Sequence, residues 1–226
     1  MPHVIVFDLM GTLLDFQALD RYFERFFGEA AVRKEWFVQT LQLAMAALLT
    51  NAYEDFGVQA DTGLEMTARH YKVSLLGEEK NLILNTLRKL RPYSEVPQSL
   101  QRLRDAGLRL AILTNSTLPA AQTQLTNAGL QDHFEQVIST DEIHCFKPAP
   151  EVYHLAAKQL KVEPGQLRLV SAHDWDVTGA LRAGCAAAFV ARPGQVMNPF
   201  GPQPDVRGAE LGEVAEKILA IELGQG

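Results

Sequence analysis

Asp8 closes a short, continuously apolar run, Val4-Ile5-Val6-Phe7, and is followed at once by Leu9-Met10-Gly11-Thr12. An unbroken apolar run of this length predicts a strand buried on both faces. A carboxylate at the C-terminal end of a first parallel strand falls where open α/β sheets form their ligand crevice. Gly11 lets backbone amides approach whatever Asp8 touches. The chemistry open to such a group is nucleophilic attack with a covalent ester intermediate; the plainer alternative is an aspartate that caps the next turn. Two more apolar runs discharge into polar residues in the same way. Leu110 to Leu113 leads into Thr114-Asn115-Ser116, and Leu167 to Val170 into Ser171-Ala172-His173-Asp174-Trp175-Asp176. In a parallel sheet such ends share one rim, so groups distant in sequence can meet there.

The elements that must position them alternate. After Asp15 the pattern turns helical: Phe16–27, Val32–52, Thr62–71 and 78–90 carry helical spacing with no strand among them. A helical insert after the first strand is expected, ending at Arg91-Pro92-Tyr93-Ser94, where Pro92 halts the preceding helix. From Val96 onward the chain reads helix (97–106), strand (110–113), helix (119–128), strand (134–138), helix (150–160), strand (167–170), helix (175–183), strand (187–190) and helix (211–221), with Gly107, Gly129 and Gly184 placed as helix stops. This rhythm predicts an α/β fold, a Rossmann-like parallel sheet flanked by helices, with a small all-helical cap inserted after the first strand. The expected division is a Rossmann-like core of residues 1–14 and 94–226 and a cap of 15–93.

Composition narrows the partners. The chain has 226 residues, 47% hydrophobic and 21% charged, with a net charge of −6, an ordinary globular balance. That field disfavours nucleic acid and anionic membrane surfaces, so an anionic substrate would have to be drawn by local cations. Cys145 and Cys185 stand alone and form neither a disulfide framework nor a metal knuckle. With Met1-Pro2-His3 leading directly into the first strand and no apolar run long enough to span a bilayer, the cytosol is the expected compartment.

Phe7-Asp8-Leu9-Met10-Gly11-Thr12-Leu13 resembles the first motif of the haloacid dehalogenase superfamily. Leu113-Thr114-Asn115-Ser116 resembles the second, Lys147-Pro148 with Tyr153 the third, and Ser171 to Asp176 with Gly179-Ala180 the fourth. Phe146-Lys147-Pro148, Trp175-Asp176 and the return Ser94-Glu95-Val96-Pro97 are most similar to the type II L-2-haloacid dehalogenases. The resemblance implies Asp8 as nucleophile and Lys147 as the cation that offsets repulsion between Asp8 and an anionic substrate. Thr12 and Asn115, with amides near Leu9 and Met10, would hold carboxylates or the leaving group, and Asp176 with Ser171 would orient Lys147 and the hydrolytic water. Thr114, Tyr153, His173 and Trp175, and Phe37, Leu41 and Phe56 from the cap, would bound the substrate. It also suggests a homodimer, although internal packing accounts equally well for the apolar cap residues.

Two positions separate dehalogenation from phosphate transfer. Phosphatases of this superfamily carry an acid two residues after the nucleophile to protonate the leaving oxygen; here Met10 can do no proton chemistry, and a halide needs none. Where their magnesium site takes an early Asp of the fourth motif stands Ala172, and losing a hard carboxylate weakens such a site, so no metal or other cofactor is expected. Three positions depart from the dehalogenase pattern. Phe37 follows Trp36 where an Arg is usual, Met10 replaces a Tyr, and His173 replaces an Asn. A protonated His173, favoured by Asp174 and Asp176, would restore a positive charge; a neutral His173 that only hydrogen-bonds is the alternative. The expectation is therefore a 2-haloacid dehalogenase acting on a small organic anion. A magnesium-dependent phosphatase and a non-catalytic binding protein on the same scaffold are the competing readings.

Overall fold

The computed structural model describes residues 4–222 and Gly224. Met1-Pro2-His3, which bear on the expected cytosolic compartment, and the last residues of the expected core segment lie outside the described residues. β1 (Val4–Phe7), β2 (Arg109–Thr114), β3 (Gln136–Ser139), β4 (Leu167–Ser171), β5 (Ala186–Val190) and β6 (Val206–Gly208) form one sheet of order β3-β2-β1-β4-β5-β6. Every pairing is parallel, the doubly wound Rossmann arrangement.

β1 lies at the centre with all four side chains buried. Because side chains alternate across a strand, Ile5 and Phe7 join one core with α5 (Val96–Asp105), α6 (Leu118–Ala128) and α9 (Leu211–Glu222). Val4 and Val6 join the other with α7 (Pro150–Leu160) and α8 (Asp174–Arg182). Register sets Phe7 level with Ile112 and Val170, and Thr114 level with Ser139. The polar residues after β1, β2 and β4 thus emerge on one rim.

Between β1 and α5 run α1 (Asp20–Phe27), α2 (Val32–Leu49), α3 (Phe56–His70) and α4 (Gly77–Thr86), with 3-10 turns at Phe16–Leu19 and Leu87–Lys89. α2 and α3 pack closely because Gly63 has no side chain: a Cβ there would stand 2.8 Å from the Thr40 hydroxyl. The Trp36 indole, buried in this seam, donates to the Ala60 carbonyl at 2.9 Å. The two connections to the sheet run side by side, the Asp15 amide donating to Arg91 O and the Tyr93 amide to Leu13 O. Tyr53 Oη donates to Asp141 (2.7 Å), while Gln124 and Asn127 on α6 donate to the carbonyls of Leu87 and Arg88.

Beyond shifts of a few residues at element ends, two elements differ from the sequence expectation. α3 starts at Phe56 rather than Thr62, because the Asp55 carboxylate caps the amides of Gly57 and Val58. β6 has only three residues, with Arg207 exposed between buried Val206 and Gly208, too short to show a period. Among the described residues, no helix is long and apolar enough to cross a membrane.

Candidate active site

Asp8 sits on the rim beside β4, its amide donating to Val170 O at 3.0 Å. Its carboxylate is held at both oxygens: Lys147 Nζ donates to Oδ1 at 2.8 Å and Thr12 Oγ1 to Oδ2 at 2.5 Å. The turn through Gly11, with φ of +79°, returns Thr12 to this position. Thr12 Oγ1 also accepts from the Ala172 amide at 3.0 Å, linking the loops after β1 and β4.

Lys147 is buried, and its ammonium bridges two carboxylates, since Nζ also donates to Asp176 Oδ2 at 2.9 Å. The first turn of α8 presents Asp176, and Tyr153 Oη on α7 donates to its Oδ1 at 2.7 Å. Gly179 makes this contact possible: a Cβ there would meet Tyr153 Oη and Pro148 Cβ, each at 2.6 Å. Asn115 works on the backbone, its Oδ1 accepting from the Lys147 amide at 2.9 Å and from Thr140 Oγ1 at 3.2 Å. It fixes the segment that carries the lysine.

These contacts set the charges. Burial alone would raise the Asp8 pKa, but the nearby Lys147 and His173 and the Lys147 and Thr12 hydrogen bonds outweigh it and hold it below 3.8. Burial alone would lower Lys147, yet Asp176 and Asp8 keep it above 10.5. Burial and the adjacent Asp176 carboxylate push Tyr153 well above the ordinary phenol value, so it stays a donor. The result is an ionised carboxylate on a permanent ammonium.

His173 stands over this group with Nε2 2.9 Å from the Met10 carbonyl and 3.7 Å from Asp8 Oδ2. A carbonyl only accepts, so Nε2 carries a proton; the neutral tautomer and the imidazolium both satisfy that bond. The carboxylate that His173 approaches is Asp8. Asp176, expected to favour a cationic His173, is turned to Lys147 and Tyr153 instead. The ring lies between Trp175, stacked at 5.1 Å, and Phe37, tilted at 5.5 Å. These three residues and Leu41 line a cavity of about 480 Å³ shared with Arg33, Lys34 and Arg192.

Other expected members are placed differently. Ser171 Oγ accepts from the His173 amide at 3.1 Å, a local turn in which Ser171 shapes the loop, and Tyr153 rather than Ser171 holds Asp176. Thr114 Oγ1 accepts from the Ser116 amide in the same manner. The Leu9 side chain is fully buried in the core. Phe56 packs edge-on against Phe146, 6.1 Å away, beside Met10 in a different cavity.

Arg192, just past β5, was not singled out from the sequence. It is buried, donates through Nε and Nη2 to the Thr12 carbonyl at 3.1 and 2.9 Å, pairs with Glu95, and lies 3.7 Å from the Tyr93 ring centroid. Applied to the apolar run ending at Val190, the strand-end rule that marked Asp8 would have found it.

A doubly wound sheet with an aspartate, a lysine and a second aspartate converging on its carboxyl rim defines the class structurally. The chain belongs to the haloacid dehalogenase-like hydrolases, whose family model matches residues 2–184. It is 33% identical over 94% of its length, and 92% of the relative's, to the (S)-2-haloacid dehalogenase of Pseudomonas sp. (strain YL). The L-2-haloacid dehalogenase of Xanthobacter autotrophicus superimposes with a TM-score of 0.89 at 28% identity, covering 96% of this chain and 98% of the other. A second structure of that enzyme, with chloropropionic acid covalently bound, has a TM-score of 0.88 at 27% identity, with the same coverage.

Proposed function

We propose that the protein is a 2-haloacid dehalogenase in which Asp8 displaces halide from C2 of a small organic anion. One observation carries this reading: a buried ammonium, Lys147 Nζ, lies 2.8 Å from the nucleophilic carboxylate, while Met10, two residues on, can protonate nothing. A substrate anion about 4 Å from Asp8 is repelled by about 4 kcal/mol at an effective dielectric near 20, around a thousandfold in rate. Lys147 offsets that repulsion. A halide leaves as a stable anion, so a thioether at position 10 costs nothing, whereas an alkoxide leaving from phosphate would go unprotonated.

In the first step an Asp8 oxygen forms a bond to C2, the carbon–halogen bond breaks, and halide departs with its electron pair. In the second, water adds to the ester carbonyl, giving its proton to Asp176, which Lys147 and Tyr153 hold. Charge developing on the former Asp8 oxygen is met by Lys147 and the Thr12 hydroxyl. Collapse expels the 2-hydroxy acid, whose oxygen takes the proton, and Asp8 is restored. Water and substrate are consumed; hydroxy acid, halide and a proton are released. Asn115 positions Lys147, Ser171 shapes the loop bearing His173, and His173, Trp175, Phe37 and Leu41 bound the substrate. No metal or other cofactor has a part in this reading. Residues 15–93 act as the cap over the 1–14 and 94–226 core, and the homodimer that the resemblance suggests and a cytoplasmic location belong to the same proposal.

The test offers (S)-2-chloropropionate and a generic phosphomonoester side by side, with and without a chelator. Chelator-resistant chloride release is the expected outcome. Magnesium-dependent phosphate release in its place would falsify the proposal.

A further inference from the structure

Tyr53, half-buried in the turn between α2 and α3, is where the insert meets the segment that carries Lys147. Its ring stacks on Phe146, the residue before the lysine, with centroids 4.9 Å apart and planes 28° apart, and on His144 at 5.0 Å and 26°. Its Oη donates to Asp141 Oδ1 at 2.7 Å. Burial, that hydrogen bond and the Asp141 charge raise the Tyr53 pKa well above the ordinary phenol value, so Oη stays a donor. One side chain of the insert thus holds Asp141, His144 and Phe146 together.

The segment is anchored to the core at its two ends. Ser139 Oγ donates to the Ser116 carbonyl at 2.7 Å and Thr140 Oγ1 to Asn115. At the other end the Lys147 amide donates to the same Asn115 oxygen, and Nζ to Asp8 and Asp176. Between these anchors Glu142, Ile143 and His144 are exposed. The turn's own hydrogen bonds run only from the His144 amide to Asp141 O at 3.0 Å and from the Cys145 amide to Thr140 O at 3.3 Å. His144 also has a left-handed backbone, with φ of +49°, a conformation that a β-carbon disfavours. The turn leading into Lys147 therefore depends on support from outside itself. Tyr53 gives that support on the face turned to the insert.

We infer that Tyr53 is a positioning residue for dehalogenation, clamping the turn from Asp141 to Phe146 so that Lys147 Nζ stays between Asp8 and Asp176. The role rests on the dehalogenase reading, because it acts through the charge that Lys147 presents to Asp8 and to an anionic substrate. With the clamp removed, the fraction of molecules with Nζ in place falls, and kcat/KM falls with that fraction. The groups that face Asp8 are Lys147, His173 and Thr12, and of these only Lys147 follows the turn that Tyr53 holds. Withdrawing it takes away a charge that keeps Asp8 ionised, so the Asp8 pKa rises.

The experiment measures chloride release from (S)-2-chloropropionate across pH by the full chain and by Tyr53→Ala, Tyr53→Phe, Asp141→Ala and the double variant Tyr53→Phe with Asp141→Ala, each checked for fold by circular dichroism. Tyr53→Ala, which loses the hydrogen bond and both stacked contacts, drops kcat/KM by about tenfold or more. Its acid limb, which reports Asp8 in the free enzyme, moves up by about one pH unit, the low end of what an opposite charge is worth. Tyr53→Phe keeps the stacking and loses about fivefold. Asp141→Ala matches it, and the double variant loses no more than either alone, because all three delete one bond. Should Tyr53→Ala fail to fold, this cycle and the acid limb of Tyr53→Phe decide the matter. Variants within about twofold of the parent overturn the role. So do additive losses in the cycle, or a loss of rate with an unmoved acid limb, which is what a merely structural tyrosine gives. No chloride from the parent overturns the dehalogenase reading itself, and the role of Tyr53 with it.

Discussion

Replacing Lys147 with methionine keeps most of the side-chain length and removes only the charge and the donors. In the parent, Nζ reaches Asp8 at 2.8 Å and Asp176 at 2.9 Å, and the lysine side chain is 1% exposed. Two carboxylates that reach one nitrogen stand within about 6 Å, where like charges repel by about 3 kcal/mol at an effective dielectric near 20. An arriving substrate anion adds about 4 kcal/mol at about 4 Å. The enzyme escapes part of this by protonating one acid, and a protonated Asp8 is no nucleophile. Either route predicts a loss of about a thousandfold in kcat/KM for chloride release from 2-chloropropionate at pH 7. Breaking a buried ion pair from one side also costs about 3–5 kcal/mol of stability, roughly 10 °C in melting temperature for a chain this long. Assays are therefore run well below the variant's melting point, with circular dichroism confirming the fold. A folded variant within tenfold of the parent would show that the lysine does not offset the repulsion, and the mechanism would fail with it.

Gly179→Ala drives a methyl into Tyr153 Oη and Pro148, each 2.6 Å from the ideal Cβ position. A loss of more than about 2 kcal/mol is expected, and an unaltered denaturation midpoint contradicts the packing described. His173→Asn keeps an N–H for the Met10 carbonyl but removes the imidazole that stands 3.7 Å from Asp8, so a changed basic limb of the pH–rate profile is expected if the ring acts as a cation, and an unchanged limb removes that role. Asp8 is depressed below its unfolded value of 3.8, so its stabilising share is complete above that pH and is lost as pH falls through the folded-state value. The melting temperature of Asp8→Asn accordingly declines less steeply with acid than that of the parent, and parallel curves refute the linkage.

The order of elements was open to a reader of the sequence because burial writes itself into short apolar runs. Val4 to Phe7 could hardly be anything but an inner strand, and the helices closed by Gly107, Gly129 and Gly184 announced their ends. The start of α3 was missed because its signal is one capping carboxylate, Asp55, ahead of a segment diluted by Gly57 and Asp61. β6 was missed because three residues hold no period. Tyr153 was read as a pocket residue, and its bond to Asp176 was invisible, since the two lie 23 positions apart and meet only where Gly179 leaves room.

The sequence by itself placed a carboxylate, Asp8, at the end of an inner strand and Met10, which carries no acid, two residues on. These are matters of residue type at the end of a strand, and local chemistry settles them. Only the tertiary structure decided which oxygen each donor reaches, that Asp176 faces Lys147 and not His173, that Arg192 grips the Thr12 carbonyl, and that two separate cavities flank the nucleophile loop. Those facts depend on distances between segments remote in the chain, which are set by sheet register and helix packing; no local run of residues encodes them.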